Sequence, residues 1–279
     1  MRYAALISYV GTQYRGWQKQ SSPEKVGLPS VQETLERAAK QVTGEKTNWI
    51  GSGRTDSGVH SLGQVAHFEL HKKEWKIRNL VLGLNTTLPG DIRVLAIQAV
   101  PDTFHAQRDA IKKQYSYYFL AGATHVAHLQ PLAYWVKGEL DLYAMQQSVA
   151  ALIGKHDFKA FQGKKAVNKT SVRRIDEAEI LEARDSVHPI LSLGAGAIPE
   201  DLKLYRFRIV GQGFLKQMVR SLAGTLIEIG RGKRETSSFA ELLRTLDRDS
   251  VGTTVPAHGL WQEHVWYPNL TWNDQRVGD

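Results

Sequence analysis

The arrangement of apolar and polar positions predicts two consecutive α/β units. Residues 2–10, rich in β-branched and aromatic side chains, read as a strand. SVQETLERAAKQVTG (30–44) reads as a helix. Ser30 and Glu33 form a capping box, and Val31, Leu35, Ala38, Ala39 and Val42 form one apolar stripe that stops before Gly44. Two strands follow at 47–51 and 64–70, where Ala66, Phe68 and Leu70 alternate onto one face. Ile77, Leu80, Val81 and Leu84 mark a short helix, and after the turn at Pro89-Gly90-Asp91 residues 92–100 form another strand. The order is β-α-β-β-α-β, the ferredoxin-like arrangement.

The same order recurs in the second half. QYSYYFLA (114–121) is a strand. Residues 140–154 are a helix with Asp141 as N-cap and Leu142, Met145, Val149, Leu152 and Ile153 on one face. Strands are expected near 172–181 and 203–210, where Tyr205, Phe207 and Ile209 alternate. LKQMVRSLAGTLIEIG (215–230) is a helix whose Leu215, Met218, Val219, Leu222, Leu226 and Ile229 face the core. A further helix at 236–247 and a strand at 260–267 complete the unit. Segments 122–131, 160–171 and 184–200 read as loops, the last as an insertion. The expected fold class is therefore α+β: two ferredoxin-like units, 1–105 and 106–279, with antiparallel or mixed sheets, helices on one face and a basic cleft between the units.

Composition narrows the function. Lys and Arg number 36 against 28 Asp and Glu, leaving a net charge of +8 that suits a polyanionic partner. The basic pairs Lys112-Lys113, Lys164-Lys165 and Arg173-Arg174, and the run at Arg231, lie in different segments, as expected for a partner that touches several elements. No cysteine is present, which excludes disulfides, thiolate catalysis and Cys-ligated zinc. No stretch approaches the roughly 18 apolar residues of a membrane span, and MRYAALISYVG reads as a first strand rather than a signal peptide. The expectation is a cytoplasmic protein.

Several familiar sites are missing. There is no phosphate-binding P-loop, and Lys216 stands where a dinucleotide fingerprint after Gly211 and Gly213 needs its third glycine. The histidines form no H-E-x-x-H pair and no G-x-S-x-G elbow occurs, so no metal and no cofactor are expected. What stands out is GSGRTDSGVH (51–60), which sets Arg54 and Asp56 two apart among glycines and serines. By itself it is better read as an Asx-type turn with a surface arginine. It runs, however, into His60, Gln64 and His67 in RTDSGVHSLGQVAHF.

This stretch resembles the signature of the tRNA pseudouridine synthase A family. The similarity continues in YVGTQYRGWQKQ, SVQETLE, LNTTLPGDIRV, FHAQRDAIKKQYSYYF, HDFKAF, SVRRI and GQGFLKQMVRSLAGTLIEIG, in the family's order and close to its spacing. The stretch SSPEKVGLP and the 184–200 segment are longer than the commonest form. The resemblance implies a duplicated ferredoxin-like fold and isomerisation of uridine to pseudouridine without a cofactor. It implies tRNA as partner, through positions 38 to 40 of the anticodon stem-loop, and a homodimer. It makes Asp56 the nucleophile, Arg220 the cation that pairs with it, Tyr115 the ring that stacks on the target uracil, and Arg54 the residue that displaces the base. His60, Gln64 and Phe214 are further substrate-binding candidates from the same motifs. Two rivals differ in kind. An RNA-binding pair of RRM-like units would carry an RNP-type aromatic strand, which is missing. An acid–base hydrolase would need a second carboxylate beside Asp56, and Glu69 is the next one along the chain.

Overall fold

A computed structural model describes residues 1–19, 27–72, 74–163, 170–183 and 202–272. Its contacts group Met1–Lys113 with the segment from Gln262 onward, and Gln114–Trp261 separately. The expected insertion at 184–200 lies outside the described residues, as does most of the lengthened loop after the first strand. No helix among the described residues is long and apolar enough to cross a membrane.

The first unit contains β1 (Arg2–Tyr9), α1 (Val31–Thr43), β2 (Ile50–Gly51), β3 (His60–Glu69), α2 (Ile77–Thr87) and β4 (Ile92–Val100). Its strands run β4-β1-β3, with β2 on β3 and every pair antiparallel. This is the order that a β-α-β-β-α-β chain gives when each helix crosses the same face. α1 begins and ends as its sequence dictates. Ser30 Oγ accepts from the Glu33 N–H, the Glu33 carboxylate answers the Ser30 N–H, and Gly44 closes the helix in the left-handed region at φ 73°. The stripes of α1 and α2 meet odd positions of β1 and even positions of β3 in one core, among them Val31, Leu35, Leu80, Ile7 and Phe68. Trp49 stacks on Phe68 at 4.0 Å and 10° in the same core.

The opposite face carries a smaller core of Ala4, Val65, Ala106, Val265, Tyr267 and Leu270. His67 is enclosed here, with Nδ1 accepting from the Ala106 N–H at 3.1 Å and its ring 4.9 Å from that of His105. Burial first, then the neighbouring His105 and Arg2, push the His67 pKa down from 6.5 to about 4. Between these values the unfolded chain binds a proton that the folded one refuses, so stability falls as pH drops from 7 toward 4. Unfolding free energy should decline by about 2 kcal/mol between pH 7 and pH 5 from this group. His67→Gln should flatten that part of the profile in denaturant titrations; an unchanged slope would contradict the assignment.

The second unit contains most of β5 (Lys112–Gly122), then β6 (Tyr134–Lys137), α3 (Leu142–Val149), β7 (Gly154–Asp157), β8 (Val172–Glu182), β9 (Lys203–Gly211), α4 (Met218–Gly230) and α5 (Ser238–Thr245). Its strands run β5-β9-β8-β7, with β6 parallel to β5. The final strand β10 (Leu260–Trp266) divides between the units at Trp261/Gln262. Tyr205, Phe207 and Ile209 are buried as their alternation predicts, and Tyr205 stacks on Phe119 at 5.3 Å. α4 is enclosed on nearly every side: a Cβ on Gly224 would fall 1.8 Å from the Thr253 carbonyl oxygen, and one on Gly230 2.8 Å from Met145 Sδ.

Some elements differ from expectation. β2 is two residues rather than five, and β3 begins at His60 rather than 64, because its first half pairs with β1 from Ser61 onward. α3 ends at Val149 in a 3-10 turn, which leaves Ile153 46% exposed instead of facing the core. α4 starts at Met218, three residues late, after Gln217 adopts a left-handed φ of 60°. β6 and β7, four residues each, were not expected, since runs so short carry too little alternation.

Candidate active site

Asp56 lies in the eight-residue connection from β2 to β3, and two glycines of an earlier segment, Gly11 and Gly16, are points of close contact with it. A Cβ on Gly11 would lie 1.9 Å from the Val59 carbonyl oxygen, and one on Gly16 2.4 Å from that of Thr55. Gly16 also has a φ of +94°, which L side chains rarely adopt. The segment Gly11–Trp17 can therefore lie directly against the loop. It does so through hydrogen bonds: Trp17 N–H to Thr55 O at 3.2 Å, Gly58 N–H to Tyr14 O at 3.2 Å, and Ser57 Oγ to Tyr14 O at 3.1 Å. Tyr14 is itself held by its hydroxyl, which donates to Asp91 Oδ1 at 2.5 Å.

The interior side of the loop is equally tied. Tyr9 OH meets Thr55 Oγ1 at 2.9 Å, and burial raises the Tyr9 pKa so that it stays protonated. Ser52 Oγ donates to Gln64 Oε1 at 2.6 Å, and Gln64 Nε2 donates to Gly53 O at 2.9 Å. His60 Nδ1 accepts from the Gly11 N–H at 2.9 Å. With both flanks fastened, Thr55 points inward and is buried, Arg54 points outward and is exposed, and Asp56 is half-buried. That alternation presents one carboxylate and one guanidinium from a backbone that cannot yield easily.

His60 and Gln64 were expected to contact substrate. In the structure both are fully buried: His60 accepts from the Gly11 N–H, and Gln64 is bonded to the Ser52 hydroxyl and the Gly53 carbonyl. Sequence reasoning missed Gly11, Tyr14, Gly16 and Trp17. The signal was available in GTQYRGW, where two glycines alternate with large aromatics, a pattern of close backbone approach.

The second unit holds the remaining candidates. Tyr115 on β5 is 8% exposed and meets the Phe214 ring edge-on at 5.1 Å and 77°. Arg220, in the first turn of α4, donates from Nε to Val255 O at 2.8 Å. The segment 252–255 is itself fixed along α4: Ser221 Oγ meets Thr254 Oγ1 at 3.0 Å, and the Gly252 N–H donates to Thr225 Oγ1 at 3.1 Å. Arg220 is thus a half-buried cation with one edge of its guanidinium pinned. Its charge, after burial, helps hold the nearby His258 below the usual histidine range. Among the described residues no group of three or more His, Cys, Asp or Glu could hold a metal ion.

Comparison with known proteins adds to this geometry. The profile of the tRNA pseudouridine synthase family matches residues 5–108 and 149–268, which include Asp56 and Arg220. A protein named tRNA pseudouridine synthase A from Geobacter sp. (strain M21) is 39% identical over 264 residues, covering 94% of this chain and 97% of the relative. Its namesake from Pseudomonas aeruginosa is 35% identical over 267 residues, with 96% and 86% covered. A third, from Acetivibrio thermocellus, is 38% identical over 262 residues, with 94% and 98% covered. A carboxylate presented on a braced loop, within a family match spanning most of both units, leads to one conclusion: this chain belongs to the tRNA pseudouridine synthase family, isomerases that convert uridine to pseudouridine.

Proposed function

We propose that Asp56 is the nucleophile of this isomerisation and that the substrate is the anticodon stem-loop of tRNA, at positions 38 to 40. The observation that carries the reading is the bracing of the loop, which fixes Asp56 on both sides while leaving the residue only half-buried. The reaction breaks the N1–C1′ bond, rotates the base and joins C5 to C1′; C5 loses a proton and N1 gains one. Nothing is oxidised or hydrolysed, so the task for the protein is orientation and charge. A carboxylate suits that task by attacking the sugar or the ring, or by stabilising positive charge at C1′.

The target must leave its stack, at a cost of a few kcal/mol. Tyr115, held edge-on by Phe214, offers an aromatic face worth roughly 1–3 kcal/mol per stacked base. In this reading Arg54, exposed beside Asp56, occupies the space the base vacates, and Arg220 supplies the positive charge that balances the aspartate. The net charge of +8 serves phosphate contacts with folded RNA. Cytoplasmic action and a homodimer belong to the same proposal and rest on the family resemblance. Family membership favours the enzyme over a non-catalytic pair of RRM-like units.

The test is to incubate unmodified tRNA transcripts with the protein and map pseudouridine by carbodiimide-dependent primer-extension stops. Stops at 38, 39 or 40 are expected. Stops confined to another arm would replace the proposed substrate site.

A further inference from the structure

The entry of the aspartate loop is fixed at Ser52. Ser52, fully buried, is the first residue after β2. Its N–H donates to Val65 O at 2.7 Å, and its Oγ donates to Gln64 and accepts from Gln262 Nε2 at 3.3 Å. Its carbonyl is taken by the Nζ of Lys113. Every polar group of Ser52 is therefore assigned, and Gln64 extends the fastening to Gly53. Arg54 follows immediately and Asp56 two residues later.

A lysine is a costly choice for this contact. A hydroxyl or amide could satisfy one carbonyl without desolvating a charge, and burying an ammonium group disfavours its charged form. Burial alone pushes the Lys113 pKa down to about 8, so the group still carries its proton at neutral pH. A charge-assisted hydrogen bond is roughly twice as strong as a neutral one, so a protonated lysine grips the carbonyl harder than a neutral donor could. Lys113 also lies two residues before Tyr115 on β5.

Resting on the function proposed above, we propose that Lys113 is a positioning residue for the isomerisation. Its ammonium group locks the Ser52 carbonyl and thereby sets where Arg54 and Asp56 stand on their loop. It is not assigned a contact with RNA.

The experiment compares full-length wild type, Lys113→Met and Lys113→Arg at pH 7, by single-turnover pseudouridine formation and by tRNA binding. Lys113→Met should slow the single-turnover rate about thirtyfold, because displacements near 1 Å cost as much or more, while Kd stays within about twofold. Lys113→Arg, which keeps a charged donor, should recover to within about fivefold of wild type. An unchanged rate in Lys113→Met overturns the proposal. So does a loss expressed in Kd, which would make Lys113 an RNA contact, or an arginine variant as slow as the methionine one. Amide hydrogen exchange gives a readout independent of turnover. In Lys113→Met the amides of residues 53–56 should exchange faster while those of α1 do not change. If wild type forms no pseudouridine, the functional reading fails, and exchange alone then decides the clamp: unchanged protection at 53–56 overturns it.

Discussion

Replacing Asp56 by asparagine is expected to reduce pseudouridine formation by about a thousandfold or more while tRNA affinity stays within about threefold. Asparagine keeps the size and planarity of the side chain but removes its charge and its nucleophilic oxygen pair. The loop should tolerate the change, because its fastenings run through the backbone of Thr55 and Gly58 and the side chains of Ser52, Thr55 and Gln64. Binding should persist, since phosphate contacts supply most of the affinity for RNA and come from residues elsewhere. The measurement is single-turnover conversion under excess enzyme, paired with a filter-binding or anisotropy titration. A variant that loses binding and rate in equal proportion would make Asp56 a substrate contact. One that keeps its rate would remove it from the mechanism.

Gly11→Ala is expected to be the most damaging single methyl group in the first unit. Its Cβ would meet the Val59 carbonyl oxygen at 1.9 Å and the carbonyl carbon at 2.7 Å, both backbone atoms that no rotamer change can move aside. Either the Gly11–Trp17 segment or the end of the aspartate loop must retreat. Both routes strain the Gly11 N–H bond to His60 and the turn that joins Val59 N–H to Asp56 O at 3.2 Å. Overpacking of this kind costs about 1–3 kcal/mol or more of stability. A displacement near 1 Å at the reacting group should cost about a hundredfold in rate. Gly90→Ala is the matched control, since nothing lies within 4 Å of the added carbon and the backbone there is not left-handed. Thermal unfolding and single-turnover rates of the pair should diverge. Equal behaviour would mean that the close approach does not brace the loop.

These expectations show which parts of the structure could be read from residues and which could not. α1 was fully legible: its start, its stop and its buried stripe are local consequences of Ser30, Glu33, Gly44 and a regular period. β4 and the alternation of Tyr205, Phe207 and Ile209 were legible for the same reason. The start of β3 was not, because Ser61 and Gly63 lack strand propensity and are held by partners distant in sequence. Ser61 Oγ donates to Gln262 O, and a Cβ on Gly63 would lie 2.6 Å from the Glu263 carbonyl oxygen. The start of α4 was displaced by the left-handed Gln217, a tertiary choice, with its side chain against Gly163. The position of the candidate carboxylate was visible in RTDSG. The braces that make it a site were not read: GTQYRGW carried a signal for Gly11 and Trp17, whereas Tyr9 and Lys113 announce themselves only through their contacts with Thr55 and Ser52.

The most direct measurement is a crystal structure of the Asp56→Asn protein bound to an anticodon stem-loop RNA. The account predicts an unstacked uridine at one of positions 38 to 40, with its ring against Tyr115 and its C1′ or pyrimidine ring about 3–4 Å from the residue 56 side chain. A uridine still stacked in the stem, or an extruded base seated away from residue 56, would contradict it.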